Sequence, residues 1–177
     1  MKNLNTLKIV AAVALALGLG SAQAATIVAG GTMGVSSTVT ASCSAFTQGA
    51  GFGFAPYTNN SATNVDATTS VSATCTAGTP YTMAVSAGTH YNAAGGMGGG
   101  WRNLQNGTTL TSFLGYGIYQ DAGYTTFWGS GVAGQGSLGA VASGTGTANY
   151  TLYGRIPAGQ AAVVGSYTDT VVASLTY

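Results

Sequence analysis

Near the C-terminus the chain alternates: Tyr167, Val171, Ala173, Leu175 and Tyr177 fall on one parity, Thr168, Thr170, Ser174 and Thr176 on the other. Period two of this kind marks a strand with one face buried. Similar short runs, punctuated by glycine and asparagine, predict strands over residues 35–43, 52–57, 69–75, 81–86, 112–119, 124–128, 150–156 and 167–177. No long stretch sets apolar residues at i, i+3, i+4 and i+7 between helix caps, so the pattern predicts an all-β sandwich. Between the strands, residues 93–100 read as a flexible glycine loop and Asn106-Gly107 as a tight turn.

Two runs in this pattern lack a partner. The last strand stops at Tyr177, with nothing after it to cover its edge, and a second alternating run, Ala25, Ile27, Ala29, Met33 and Val35, lies far from it in sequence. An exposed strand edge of this sort invites an added strand, and the run 25–35 has the form of a strand to give. The expectation is a β-domain one strand short that also carries a strand to donate.

The first 24 residues read as a signal peptide: Lys2 and Lys8 flank a short apolar core, and Ala22-Gln-Ala24 is a small-x-small cleavage site. A donor segment 25–35 and a folded domain 36–177 follow. Cleavage removes both lysines and leaves Arg102 and Arg155 against Asp66, Asp121 and Asp169, about one net negative charge. A nucleic acid partner would need a clustered basic face, which so few charges cannot make. Cys43 and Cys75 are the only cysteines, and in an exported chain the default reading is a disulfide. The loop they close gives roughly 3.7 kcal/mol of stabilisation by chain entropy.

Catalytic or ligand chemistry finds little support. Gly134-Gln-Gly-Ser-Leu-Gly139 matches a dinucleotide fingerprint letter for letter, but opens no helix and sits in no βαβ unit. The single histidine, His90, has no glutamate to work with and no marked nucleophile, and two cysteines and one histidine so far apart match no metal spacing. Asp169, on the inward parity, is expected to bind backbone amides or an arginine such as Arg155. Trp101, Trp128 and the tyrosines are expected to pack, with a sugar-stacking platform as the weaker reading. No enzyme, cofactor or metal is expected.

Taken together, Cys43, Phe54-Ala-Pro-Tyr57, Cys75-Thr-Ala-Gly-Thr-Pro-Tyr81, Leu114-Gly-Tyr-Gly-Ile-Tyr119, Trp128-Gly129, Tyr153-Gly-Arg-Ile-Pro-Ala-Gly-Gln160 and Gly165-Ser-Tyr-Thr-Asp-Thr170 resemble the spore coat protein U domain, which is also the pilin domain of archaic chaperone-usher pili. The resemblance implies an incomplete immunoglobulin-like β-sandwich lacking its last strand, completed by donor-strand exchange. It further implies export through the periplasm to the cell surface, a periplasmic chaperone, an outer-membrane usher, a homopolymer of shaft subunits, a tip adhesin, and a role in adhesion and biofilm formation. The donor would be Ala25, Ile27, Ala29, Met33 and Val35, and the acceptor strand Tyr167, Val171, Ala173, Leu175 and Tyr177. A secreted coat or matrix protein that fills its own groove is the alternative.

Overall fold

The computed structural model describes residues 30–91, 96–97, 101–131 and 142–177. The chain divides into two units, Met1–Ser37 and Thr38–Tyr177. In the first, residues 30–37 carry no strand, and Met33 and Val35 are exposed. Ala25, Ile27 and Ala29 lie outside the described residues, as do the fingerprint 134–139 and most of the loop 93–100.

The second unit is all-β, an immunoglobulin-like sandwich with no helix among the described residues. Its strands are β1 (Cys43–Gln48), β2 (Val65–Cys75), β3 (Pro80–Val85), β4 (Arg102–Asn106), β5 (Phe113–Tyr119), β6 (Ala142–Thr145), β7 (Ala148–Ile156), β8 (Tyr167–Thr168) and β9 (Ala173–Thr176). A six-stranded sheet runs β1-β2-β7-β5-β4-β8, and a three-stranded sheet runs β6-β3-β9. All recorded pairings are antiparallel.

The longest ladder joins β2 to β7, from Val65 opposite Ile156 to Ala73 opposite Ala148. Both strands alternate, so Val71, Ala73, Leu152 and Ile156 enter the core while their neighbours face out. β5 is buried along its whole length, which its sequence Phe-Leu-Gly-Tyr-Gly-Ile-Tyr permits because glycine stands where another chain segment presses close: a Cβ on Gly115 would overlap the Met97 side chain. Between the sheets lie Tyr81, Met83, Val85, Leu114, Tyr116, Ile118 and Trp128. At Pro157, β7 ends, and the Gln160 side chain continues its ladder: Oε1 accepts from Gly115 N at 2.6 Å and Nε2 donates to Gly115 O at 2.9 Å.

Several expected strands differ. Residues 35–42 and 52–57 carry no ladder, and the first strand starts at Cys43. Within 124–128 only a bridge between Tyr119 and Phe127 forms, because Asp121 organises a turn there. Its carboxylate accepts from the amides of Thr125 and Thr126, and these bonds, Thr126 first, hold its pKa below the usual carboxylate value. β4 was not anticipated. Asn106-Gly107 is not the tight turn expected: Asn106 ends β4, its Oδ1 accepts from the amides of Thr108 and Thr109, and the chain reverses further on, where Ser112 N donates to Thr109 O. The expected last strand is divided into β8, which joins the large sheet, and β9, which joins the small one.

Candidate functional site: an open groove between two strand edges

β1 and β9 stand at the free edges of their sheets: β1 pairs with β2, and β9 with β3. The space between them is where another strand would close the sandwich. Three cavities follow one another along it. The first, about 230 Å³, lies between Cys43, Ser44 and Phe46 on one side and Leu175 and Tyr177 on the other. The second, about 250 Å³, lies between Gln48, Gly49 and Phe52 and the segment Asp169 to Ala173; its floor is Val71, Val85, Leu104, Tyr116 and Leu152. The third, about 550 Å³, lies between residues 52–57 and Ala162 to Tyr167, over Leu114 and Ile156.

Those floor residues are core residues of both sheets, so the groove opens directly onto the hydrophobic core. Phe52 and Phe54, stacked with centroids 5.7 Å apart, line both larger cavities. The run 52–57 looks like a strand in sequence because its rings face the core, yet among the described residues it pairs with no strand.

On the opposite wall the expected parity holds. Tyr167, Val171 and Leu175 are half-buried against the core and Ala173 is buried, whereas Thr168, Thr170, Ser174 and Thr176 are exposed. Tyr177 is 62% exposed at the rim. Tyr167 is pinned through its hydroxyl, which donates to Val163 O at 2.8 Å and lies 2.7 Å from Ser112 Oγ. Cys43 and Cys75 form the expected disulfide, fastening the edge strand β1 to β2 at the narrow end of the groove.

Asp169 points inward as expected, but not to Arg155. Its Oδ1 accepts from Thr89 N at 2.9 Å and lies 3.2 Å from His90 Nδ1; its Oδ2 accepts from Tyr116 OH at 2.7 Å. Burial pushes the Tyr116 hydroxyl far above the usual phenol range, with the Asp169 charge adding to it. Arg155 instead grips Asp66 with two bonds of 2.7 Å, because the β2–β7 register sets the two residues directly opposite each other. It also lies 3.5 Å over the Tyr124 ring.

Arg102 was missed as a site residue. It is wholly buried, and Nε donates to Ser86 O, while Nη2 donates to Val85 O and Trp128 O, each at 2.9 Å. Burial lowers its pKa to about 10, against the raising influence of Tyr116 and Asp169. The sugar-platform reading loses its second tryptophan: Trp128 is 1% exposed and gives its indole N–H to Met83 O. Trp101 packs edge-on against Phe127.

The fold is thus a two-layer immunoglobulin-like sandwich with a core-deep groove between two of its edge strands. The chain matches the Spore Coat Protein U domain over residues 29–174 and belongs to that family. Among solved structures it is similar to the crystal structure of the CsuC-CsuE chaperone-tip adhesion subunit pre-assembly complex from archaic chaperone-usher Csu pili of Acinetobacter baumannii. That likeness has a TM-score of 0.54 at 20% identity and covers 79% of this chain and 41% of that one. This chain therefore spans less than half the length of its structural relative. No curated protein matches the sequence at a significant level.

Proposed function

We propose that this protein is a structural shaft subunit of a chaperone-usher pilus, polymerising as each copy lays its N-terminal segment 25–35 into the groove of the next. The observation that carries this reading is the row of three cavities opening onto the core between two free strand edges. Family membership and the Csu relative support it. An added strand there would satisfy the edges of β1 and β9 and fill the cavities with alternate side chains.

Bulk and space favour one direction. Laid antiparallel to β9, the donor brings Met33 and Val35 to the 550 Å³ cavity and Ala25 and Ile27 to the 230 Å³ cavity beside Leu175 and Tyr177. The parallel direction would set Ala25 in the largest space. Burying Ile27, Met33 and Val35 at roughly 1.5 to 3 kcal/mol each, with about eight backbone hydrogen bonds near 1 kcal/mol, sums to the order of 10 to 20 kcal/mol before ordering costs. Release would need the core of the receiving copy to open, so dissociation is slow. The step needs no catalytic residue in this chain. A periplasmic chaperone would cover the groove until an outer-membrane usher exchanges its strand for the donor, and a tip adhesin would end the fibre at the cell surface, supporting adhesion and biofilm formation.

Deleting residues 25–35 tests this. The intact mature chain should form fibres visible by electron microscopy, and the deleted chain should remain monomeric and bind a peptide of residues 25–35. Fibres that persist after the deletion overturn the proposal. So does a stable monomer of the intact chain with its own segment in the groove, the behaviour of a self-complemented coat protein.

A further inference from the structure

The middle of one groove wall is held by neither sheet. β8 pairs with β4 through Tyr167 and Thr168, and β9 pairs with β3 from Ala173 onward; Asp169 to Val172 cross between them and line the central cavity, apart from Val172. Other bonds hold this crossing. Ser86 N donates to Val172 O and Val172 N to Ser86 Oγ, both at 2.8 Å. The hub is Asp169, whose carboxylate is 1% exposed and takes the Thr89 amide, the His90 ring and the Tyr116 hydroxyl. Opposite it stands Gly88 with φ +84°, where a Cβ would overlap Asp169 Oδ2; the loop before His90 is shaped to let the carboxylate in.

We propose that Asp169 is a positioning residue for strand uptake, fixing the central wall of the groove in its strand-accepting course before any strand arrives. This rests on the strand-accepting reading above. An apolar side chain at this inward position would gain by moving onto Tyr116 and Leu104, closing the cavity. A carboxylate held by donors on the β3–β4 connection and on β5 cannot follow, since each bond it abandons would leave a buried polar group unpaired. The polar hub thus keeps open a cavity that hydrophobic collapse would otherwise shrink.

The experiment compares the intact mature chain with Asp169→Asn and with Tyr116→Phe, which removes one donor and keeps the ring. Polymerisation followed by light scattering gives the uptake rate, the temperature at which formed fibres dissociate in detergent gives the strength of the joint, and hydrogen exchange of the unpolymerised chain reports the wall. Uptake should slow roughly tenfold or more in Asp169→Asn and by less in Tyr116→Phe, the scale of one lost charged hydrogen bond. The Thr170 and Val171 amides should exchange faster while those of β7 do not change, and formed fibres should dissociate at the wild-type temperature. Unchanged uptake in both variants overturns the proposal. So does a fall in fibre dissociation temperature that accounts for the slower uptake, which would make the hub part of general stability. If the wild type takes up no strand, the strand-accepting reading fails, and this inference fails with it.

Discussion

Replacing Arg102 with methionine tests whether the buried guanidinium supports the fold or merely survives in it. Burial lowers its pKa from the ordinary guanidinium value to about 10, which at about 1.36 kcal/mol for each tenfold change in acidity is a cost of roughly 3 kcal/mol. Against this stand three donations to the carbonyls of Ser86, Val85 and Trp128, each worth about 1.5 to 3 kcal/mol from a charged donor. At the middle of that range the bonds outweigh the cost, even with Nη1 buried without a partner among the described residues. The Arg102 charge also bears on Tyr116 and Asp169, so its removal disturbs a buried polar cluster as well as its own bonds. Arg102→Met should therefore lose about 3 to 5 kcal/mol, the range for removing one member of a buried charged set. Urea unfolding of wild type and variant at matched assembly state, followed through the fluorescence of buried Trp128, reads the difference. A loss below about 1 kcal/mol, or the gain that sometimes follows when packed hydrophobic residues replace buried ions, would refute the reasoning.

Replacing Cys43 and Cys75 with alanine frees a cross-link of sequence separation 32, costing roughly 3.7 kcal/mol and lowering the melting temperature by about 10 °C in a domain of this size; scanning calorimetry checks this, and a drop under about 3 °C contradicts it. The Asp66–Arg155 pair gives an acid-side dependence: the Arg155 hydrogen bond holds the Asp66 pKa below 3.8, so its stabilisation is present above the unfolded-state value and is lost as pH falls below about 4. Both side chains are partly exposed, which limits the effect to about 0.5 kcal/mol. Stability measured from pH 7 to 3 should fall less steeply in Asp66→Asn, and equal slopes would count against the assignment.

The two walls of the groove were legible to different degrees. On the β9 side, period two separated Tyr167, Val171, Ala173 and Leu175 from their threonine and serine neighbours, and burial follows that division. What period two could not show was the change of sheet at Asp169 to Val172, since a segment that crosses from one layer to the other keeps its alternation throughout. On the opposite wall, Phe52 and Phe54 look like strand residues because they alternate and are apolar. Alternation reports which way a side chain faces, not whether a neighbouring backbone is present to bond, and among the described residues no strand pairs with this run. β4 failed in the reverse sense. Arg102-Asn103-Leu104-Gln105-Asn106 reads as surface, yet Arg102, Asn103 and Asn106 are wholly buried, each bonded to backbone groups.

Asp169 shows where such reading stops and why. Its parity sent it inward, and an inward carboxylate must find donors; that much follows from one residue and its neighbours. Which donors it finds depends on what the fold brings there, namely Thr89 and His90 from the β3–β4 connection and Tyr116 from β5. Arg155 was the obvious counter-charge, but a strand register of one pair, Asp66 opposite Arg155, had already committed it to the outer face. With that arginine engaged, Asp169 takes His90 as its close neighbour at 3.2 Å, and Arg102 acts on it only at a distance. Exchanging the roles of the two arginines would need β7 to turn its opposite face to the core, because a shift of one residue inverts every side chain on a strand. Leu152 and Ile156, buried on the face opposite to Arg155, oppose that inversion, and so the packing of β7 keeps Arg155 from the inward carboxylate of Asp169.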